Sequence, residues 1–142
     1  MLEPSLISTC AIIAIGLIGV SITIILGLKE SAKQYEKEQI KEILQSDNTR
    51  KIVDMIVEKT IDIDSIYEYY EKLMSIYKPR RHLFSAFGFL FLSGFLFMLA
   101  SILGNIDLPT IIDILPFSLI FDGIIIFIFG VYYLFRSIAY IF

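Results

Sequence analysis

The chain of 142 residues has no tryptophan, one cysteine and one histidine, and only 19% of its residues are charged. Its net charge of −3 gives no support to nucleic-acid binding, which requires surplus basic residues. All eight glycines lie in or at the ends of long apolar stretches, so a glycine-rich phosphate-binding loop has no candidate. Hydrophobic residues make up 56% of the chain, more than a soluble domain of this size can bury. The composition therefore argues against a soluble enzyme.

Three apolar stretches are long enough to cross a bilayer, which takes about 20 residues of helix. They cover residues 5–28, 83–104 and 116–135, and the last carries one charge, Asp122. None alternates polar and apolar residues as a membrane strand would. Since backbone groups must be satisfied inside lipid, the sequence predicts an all-α integral membrane protein with three transmembrane helices.

The basic residues predict the orientation of these helices. Eleven of the twelve lie between Lys29 and Arg81, and the twelfth is Arg136. Positive charge stays in the cytosol, so the N-terminus is expected outside and the C-terminus inside. The predicted cytosolic parts are residues 29–82 and the tail 136–142, and the predicted external loop is 105–115.

With this topology, Cys10 and His82 lie at opposite membrane faces. They are therefore expected to form neither a zinc site nor a Cys–His nucleophile pair. A disulfide bond between Cys10 and the Cys10 of a second copy, near the outer face, is left open. No catalytic constellation, cofactor site or metal site is predicted. Isoleucine makes up about a fifth of the chain, which favours the cell membrane of a prokaryote, with an archaeon as one option, and leaves a viral envelope open.

The segment 29–82 is charge-balanced, with eleven basic and eleven acidic residues. Its apolar residues recur with helical spacing and predict two or three short helices folded back on one another. The first continues from the preceding span, and Ser65 with Glu68 matches a capping box for the last. Tyrosine is common at protein interfaces, so one face of the last helix is either packed internally or a candidate docking face for a partner protein. This face comprises Tyr67, Tyr70, Leu73, Met74 and Tyr77.

A basic cluster of Lys78, Arg80 and Arg81 precedes the second span. Such a cluster either serves only to fix topology or also holds anionic lipid headgroups, at about 1 kcal/mol per charge. Pro79, within it, is expected to interrupt the preceding helix.

Asp122 is the one charged residue within the three predicted spans. It lies about 9 Å below the outer boundary if that boundary is at Pro116, and a mid-span carboxylate costs about 2.5–3.5 kcal/mol. Either it binds a proton or cation, or it is protonated and bonds across helices. Hydroxyl groups at similar depth predict an intramembrane polar cluster of Asp122, Ser118, Ser101, Thr9 and Ser8.

Small residues predict where the spans contact each other, because they allow close backbone approach. A bulky side of phenylalanines, opposite the small side of the second span, is expected to face lipid. The predicted packing sides are Gly16, Gly19, Thr23 and Gly27 in the first span and Ala86, Ser93, Ala100 and Gly104 in the second.

Three functions follow from these features. The first is a non-enzymatic accessory subunit that self-associates or docks a partner through its cytosolic helices. The second is an insertase-like factor, because the order and orientation of the segments resemble those of the membrane-protein insertase superfamily, although no family motif is present. The third is an oligomeric ion or proton pathway using Asp122.

Overall fold

The computed structural model describes residues 2–106 and 114–142, and within them the protein is all-helical. Most of the predicted loop 105–115 lies outside the described residues. The described residues form five helices and no strand, in agreement with the all-α part of the predicted fold class. Their bounds are Pro4–Leu44 for α1, Asp47–Val57 for α2, Ile63–Ile76 for α3, Lys78–Gly104 for α4 and Leu115–Ile141 for α5.

Three of the helices, α1, α4 and α5, are long and apolar enough to cross a membrane. α1 is continuous over 41 residues, or about 60 Å at 1.5 Å per residue. The predicted span 5–28 and the start of the segment 29–82 are therefore parts of one rod. Gly27 does not break it, because the hydrogen-bonded ladder continues on both sides. The composition changes at Lys29, but the backbone does not.

Each of the short helices α2 and α3 has its own N-cap residue, but only that of α3 makes a capping side-chain hydrogen bond. Ser46 precedes α2, and Asp62 is the N-cap of α3, where its carboxylate accepts a hydrogen bond from the backbone N–H of Asp64. The predicted capping box at Ser65 is wrong by three residues, because the Ser65 hydroxyl instead donates to Asp62. That bond is the main cause of the lowered pKa of the Asp62 carboxyl. The Asp62 carboxylate thus accepts a hydrogen bond from a backbone N–H group at the start of α3 that has no partner within the helix.

A single residue, Tyr77, separates α3 from α4. Pro79 lies in the first turn of α4, where a missing N–H costs nothing because it has no helical partner. The predicted interruption at this proline therefore takes the form of a new helix start. Pro116 has the same place in α5.

The three long helices lie side by side with α4 in the middle. α4 packs extensively against both α1 and α5, whereas α1 and α5 touch each other little. The buried core between them contains Cys10, Ala14 and Phe97, flanked by half-buried aliphatic residues. The arrangement is a layer with two broad faces, so the long helices enclose no central channel within one copy.

Candidate functional site

The small residues predicted on one side of α4 are all buried. Ala86, Ser93, Ala100 and Gly104 have almost no exposed surface. However, these residues do not all contact the same neighbouring helix. Ser93 contacts α5, whereas a Cβ at Gly104 would lie 2.6 Å from the side chain of Leu2, just before α1. Both sides of α4 are occupied, because it is the middle helix.

The small residues predicted to pack in α1 lie on an exposed side instead. Gly16, Gly19, Thr23 and Gly27 are exposed, and a Cβ added at any of the three glycines would meet nothing within 4 Å. The side of α1 that contacts α4 contains Cys10, Ala14 and Ser21. These side chains are also small, but they are the ones that point towards α4. Cys10 is only 2% exposed, so this copy presents no free thiol surface.

Three serine hydroxyls join neighbouring long helices by donating to backbone carbonyls. Ser101 donates to Ile7 across α4 and α1, at 3.1 Å. Ser93 donates to Gly123 across α4 and α5, at 2.7 Å. Ser137 donates to Pro79 across the same two helices, at 2.9 Å. A helix carbonyl has a second lone pair free for such a bond. Sequence reasoning did not single out Ser137, although an isolated serine in an apolar helix is itself a signal.

The predicted polar cluster around Asp122 is not gathered within one copy. Ser101 is half-buried and bonded to α1, whereas Ser8 and Thr9 are exposed on α1. Ser118 and Asp122 are exposed on α5, on the far side of the middle helix. Similar depth along the helices does not place side chains at the same angle around them. Asp122 makes no side-chain hydrogen bond or ion pair with the described residues.

The predicted basic cluster at the start of α4 divides between two sides of the helix. Arg80 reaches α1, where its guanidinium lies 3.5 Å from a carboxylate oxygen of Glu36. Lys78 and Arg81 lie on the side of α5, next to Arg136. Consecutive residues are about 100° apart around a helix, so neighbours in sequence meet different partners.

Glu36 is an unusual residue for its position, because it is charged and only 8% exposed. One carboxylate oxygen faces Arg80, which is itself half exposed, and the other has no hydrogen-bond partner among the described residues. Burying a carboxylate with so little compensation is costly. The sequence did not reveal this site, because Glu36 lies among alternating charges, a pattern that predicts a solvent-exposed helix.

The predicted docking face of α3 is largely exposed. Tyr67 is 66% and Tyr70 is 56% exposed, and Met74 and Tyr77 follow on the same side. Leu73 is half-buried. By contrast, Tyr69 turns towards α2, where its hydroxyl lies 3.2 Å from the Thr49 hydroxyl. Further exposed apolar side chains lie on α2, in the turn after it and at the first residue of α3, namely Val53, Ile56, Val57, Ile61 and Ile63.

The part of the chain that the structure describes holds no group of His, Cys, Asp and Glu residues able to bind a metal ion. No protein-family model matches the chain, and neither does any curated protein or solved structure. Its function is therefore inferred from its own surfaces.

Proposed function

We propose that the chain is a non-enzymatic, multi-pass membrane subunit that associates with a protein partner through α2 and α3. In this proposal α1, α4 and α5 cross the bilayer, with the N-terminus outside and the C-terminus inside. The concentration of basic residues between Lys29 and Arg81 supports this orientation. The isoleucine-rich composition favours the cell membrane of a prokaryote.

The observation that carries the association is the exposed apolar face of α3, together with further exposed apolar side chains on α2. In the proposed topology these helices lie in the cytosol, where exposed tyrosine and aliphatic side chains cost free energy. Tyr67, Tyr70, Met74 and Tyr77 recur at helical spacing and form one continuous strip. Contiguous apolar strips of this kind are typical of protein interfaces. Neither α1 nor α4 covers the strip, because both have few contacts with α3.

Two features of the long helices support association within the bilayer as well. Asp122 is exposed on α5 among isoleucine and phenylalanine side chains. Contact of its charged carboxylate with lipid would cost about 2.5–3.5 kcal/mol. The exposed stripe of Gly16, Gly19, Thr23 and Gly27 allows close approach of another helix. A neighbouring protein would cover both features, which lie on the two outer helices of the layer.

Photo-crosslinking in intact cells tests the proposal. A photoreactive amino acid replaces Tyr70 in one variant and Tyr69 in the matched control, whose side chain faces α2. We expect a protein adduct at position 70 and only intramolecular products at position 69. The mass of the adduct distinguishes a second copy from a different subunit. Absence of any protein adduct at position 70, together with a monodisperse monomer in mild detergent, contradicts the proposal.

The ion-pathway hypothesis depends on assembly, because Asp122 is exposed on α5 and makes no side-chain hydrogen bond or ion pair with the described residues. The substitution Asp122→Asn keeps the shape of the side chain and removes its titration. Ion flux that is equal in vesicles carrying the variant and the original chain rules against this pathway. The insertase hypothesis is tested separately by cross-linking to ribosomes or nascent chains.

A further inference from the structure

An open cleft of about 430 Å³ lies between the first turn of α4 and the last turns of α5. Lys78 and Arg81 line it from α4, and Arg136 lines it from α5. No carboxylate lines the cleft, and none of the three cations forms an ion pair with a described residue. Three positive charges thus converge on one space without an anion.

Aromatic rings form the wall of this basic cleft. The imidazole of His82 stacks on the ring of Tyr133, with the ring centroids 5.6 Å apart, and on the ring of Tyr140, at 5.8 Å. Tyr133 in turn stacks on Phe89, at 5.5 Å. Rings packed in this way hold their positions, so the polar tips of His82 and the two tyrosines are set around the cleft before anything binds.

A buried hydrogen bond fixes the two helices at the same level. The hydroxyl of Ser137 donates to the carbonyl of Pro79 at 2.9 Å, and both residues are buried. This bond joins the turn of α4 that carries Lys78 and Arg81 to the turn of α5 that carries Arg136. The distance between the cations is therefore set by the packing of the helices and not by long side chains alone.

We propose that the basic cleft binds the phosphate of an anionic phospholipid headgroup. Arginine and lysine are the side chains best suited to phosphate, arginine through paired N–H donors and lysine as a point charge. The inference rests on the proposed membrane insertion, which places this end of α4 and α5 at the cytosolic surface. There Leu83 begins the apolar part of α4, so acyl chains can follow the helices while the phosphate stays in the cleft. Basic clefts between helices at this surface are suited to acidic lipids.

Lipid titration of the full-length protein in neutral detergent, followed by native mass spectrometry, tests this site. Phosphatidylglycerol is compared with phosphatidylcholine of the same acyl chains, and inorganic phosphate alone is the third arm. We expect selective binding of phosphatidylglycerol. Replacing one cation, by Arg136→Gln or Arg81→Gln, is expected to lower its affinity about fivefold. The matched control Arg80→Gln removes the same charge one residue away, outside the cleft, and is expected to keep the original affinity.

Three results would overturn the proposal. One is equal binding of the two lipids by the original chain. Another is an equal loss of affinity in Arg80→Gln and Arg81→Gln, which indicates attraction to net charge and not a site. The third is saturation by inorganic phosphate without preference for the acidic lipid, which assigns the cleft to a soluble anion. Failure of the lipid assay does not affect the crosslinking expected at position 70. Release of the protein by carbonate washing, by contrast, contradicts the proposed membrane topology.

Discussion

The Ser93 hydroxyl lies 2.7 Å from the carbonyl oxygen of Gly123, and both residues are buried where α4 meets α5. The missing side chain at Gly123 favours the close approach, because a Cβ there would lie 3.1 Å from the ring of Phe97, which would have to shift by a few tenths of an ångström. A small residue and a hydroxyl therefore act together at this contact. Glycine allows the helices to approach, and serine supplies a polar bond in an apolar surrounding.

Ser93→Ala is expected to destabilise the protein by about 1 kcal/mol, in the range measured for hydrogen bonds between membrane helices. The readout is the thermal unfolding midpoint in detergent. Thr9→Ala is the control, because exposed Thr9 donates to the carbonyl of Ser5 within its own helix. An equal effect of both substitutions would show that the bond between helices contributes nothing specific.

Gly130→Ala is expected to destabilise the contact of α4 with α5 by about 1–3 kcal/mol. A Cβ at this position would lie 2.8 Å from Cγ of Leu90 and 3.1 Å from the backbone nitrogen of the same residue. Since the backbone cannot give way as a flexible side chain does, the helices must separate. Thermal unfolding measures the change. Gly88→Ala, which is in α4 and meets nothing within 4 Å, is expected to keep or slightly raise stability because alanine favours a helix more than glycine does, and a matching loss there would contradict the assigned packing.

Glu36→Met is expected to leave stability unchanged or to raise it. The substitution removes a buried charge that has one weak, half-exposed partner in Arg80 and one oxygen without a partner among the described residues. Apolar replacement of poorly compensated buried charges is often neutral or stabilising. Chemical denaturation of the purified protein checks the result, with exposed Glu30→Met as the control. A loss of more than about 2 kcal/mol at position 36 alone would show that the carboxylate has a stabilising role.

The N-cap of α3 is expected to weaken in acid. The hydroxyl of Ser65 and nearby backbone N–H groups favour the charged form of Asp62 and lower its pKa below the ordinary 3.8. Because the pKa is lowered in the folded protein, the cap stabilises α3 fully when the pH is above the ordinary pKa of 3.8. The cap loses its effect as the pH falls below 3.8 and through the lowered pKa. Amide hydrogen exchange in α3, measured across that window, reports the loss. Asp62→Asn keeps a capping oxygen without a titrating group, so its α3 should show no corresponding step.

Local properties of the chain were sufficient to predict the helical class and the three long apolar helices. Both depend on hydrophobicity and on backbone hydrogen bonds within a segment, and both can be read from consecutive residues. The start of α3 was misplaced, because Ser65 and Asp62 both offer capping oxygens and only the backbone conformation decides between them.

The sequence by itself determined which segments are helical and apolar, since these are properties of neighbouring residues. Only the tertiary structure decided which side of each helix is covered. Gly16 and Ala14 are both small residues, yet only Ala14 faces α4. Likewise, Arg80 turns to Glu36 while Arg81 turns to the basic cleft. The physical reason is that burial around a helix axis depends on where the neighbouring helices lie, and no single segment contains that information.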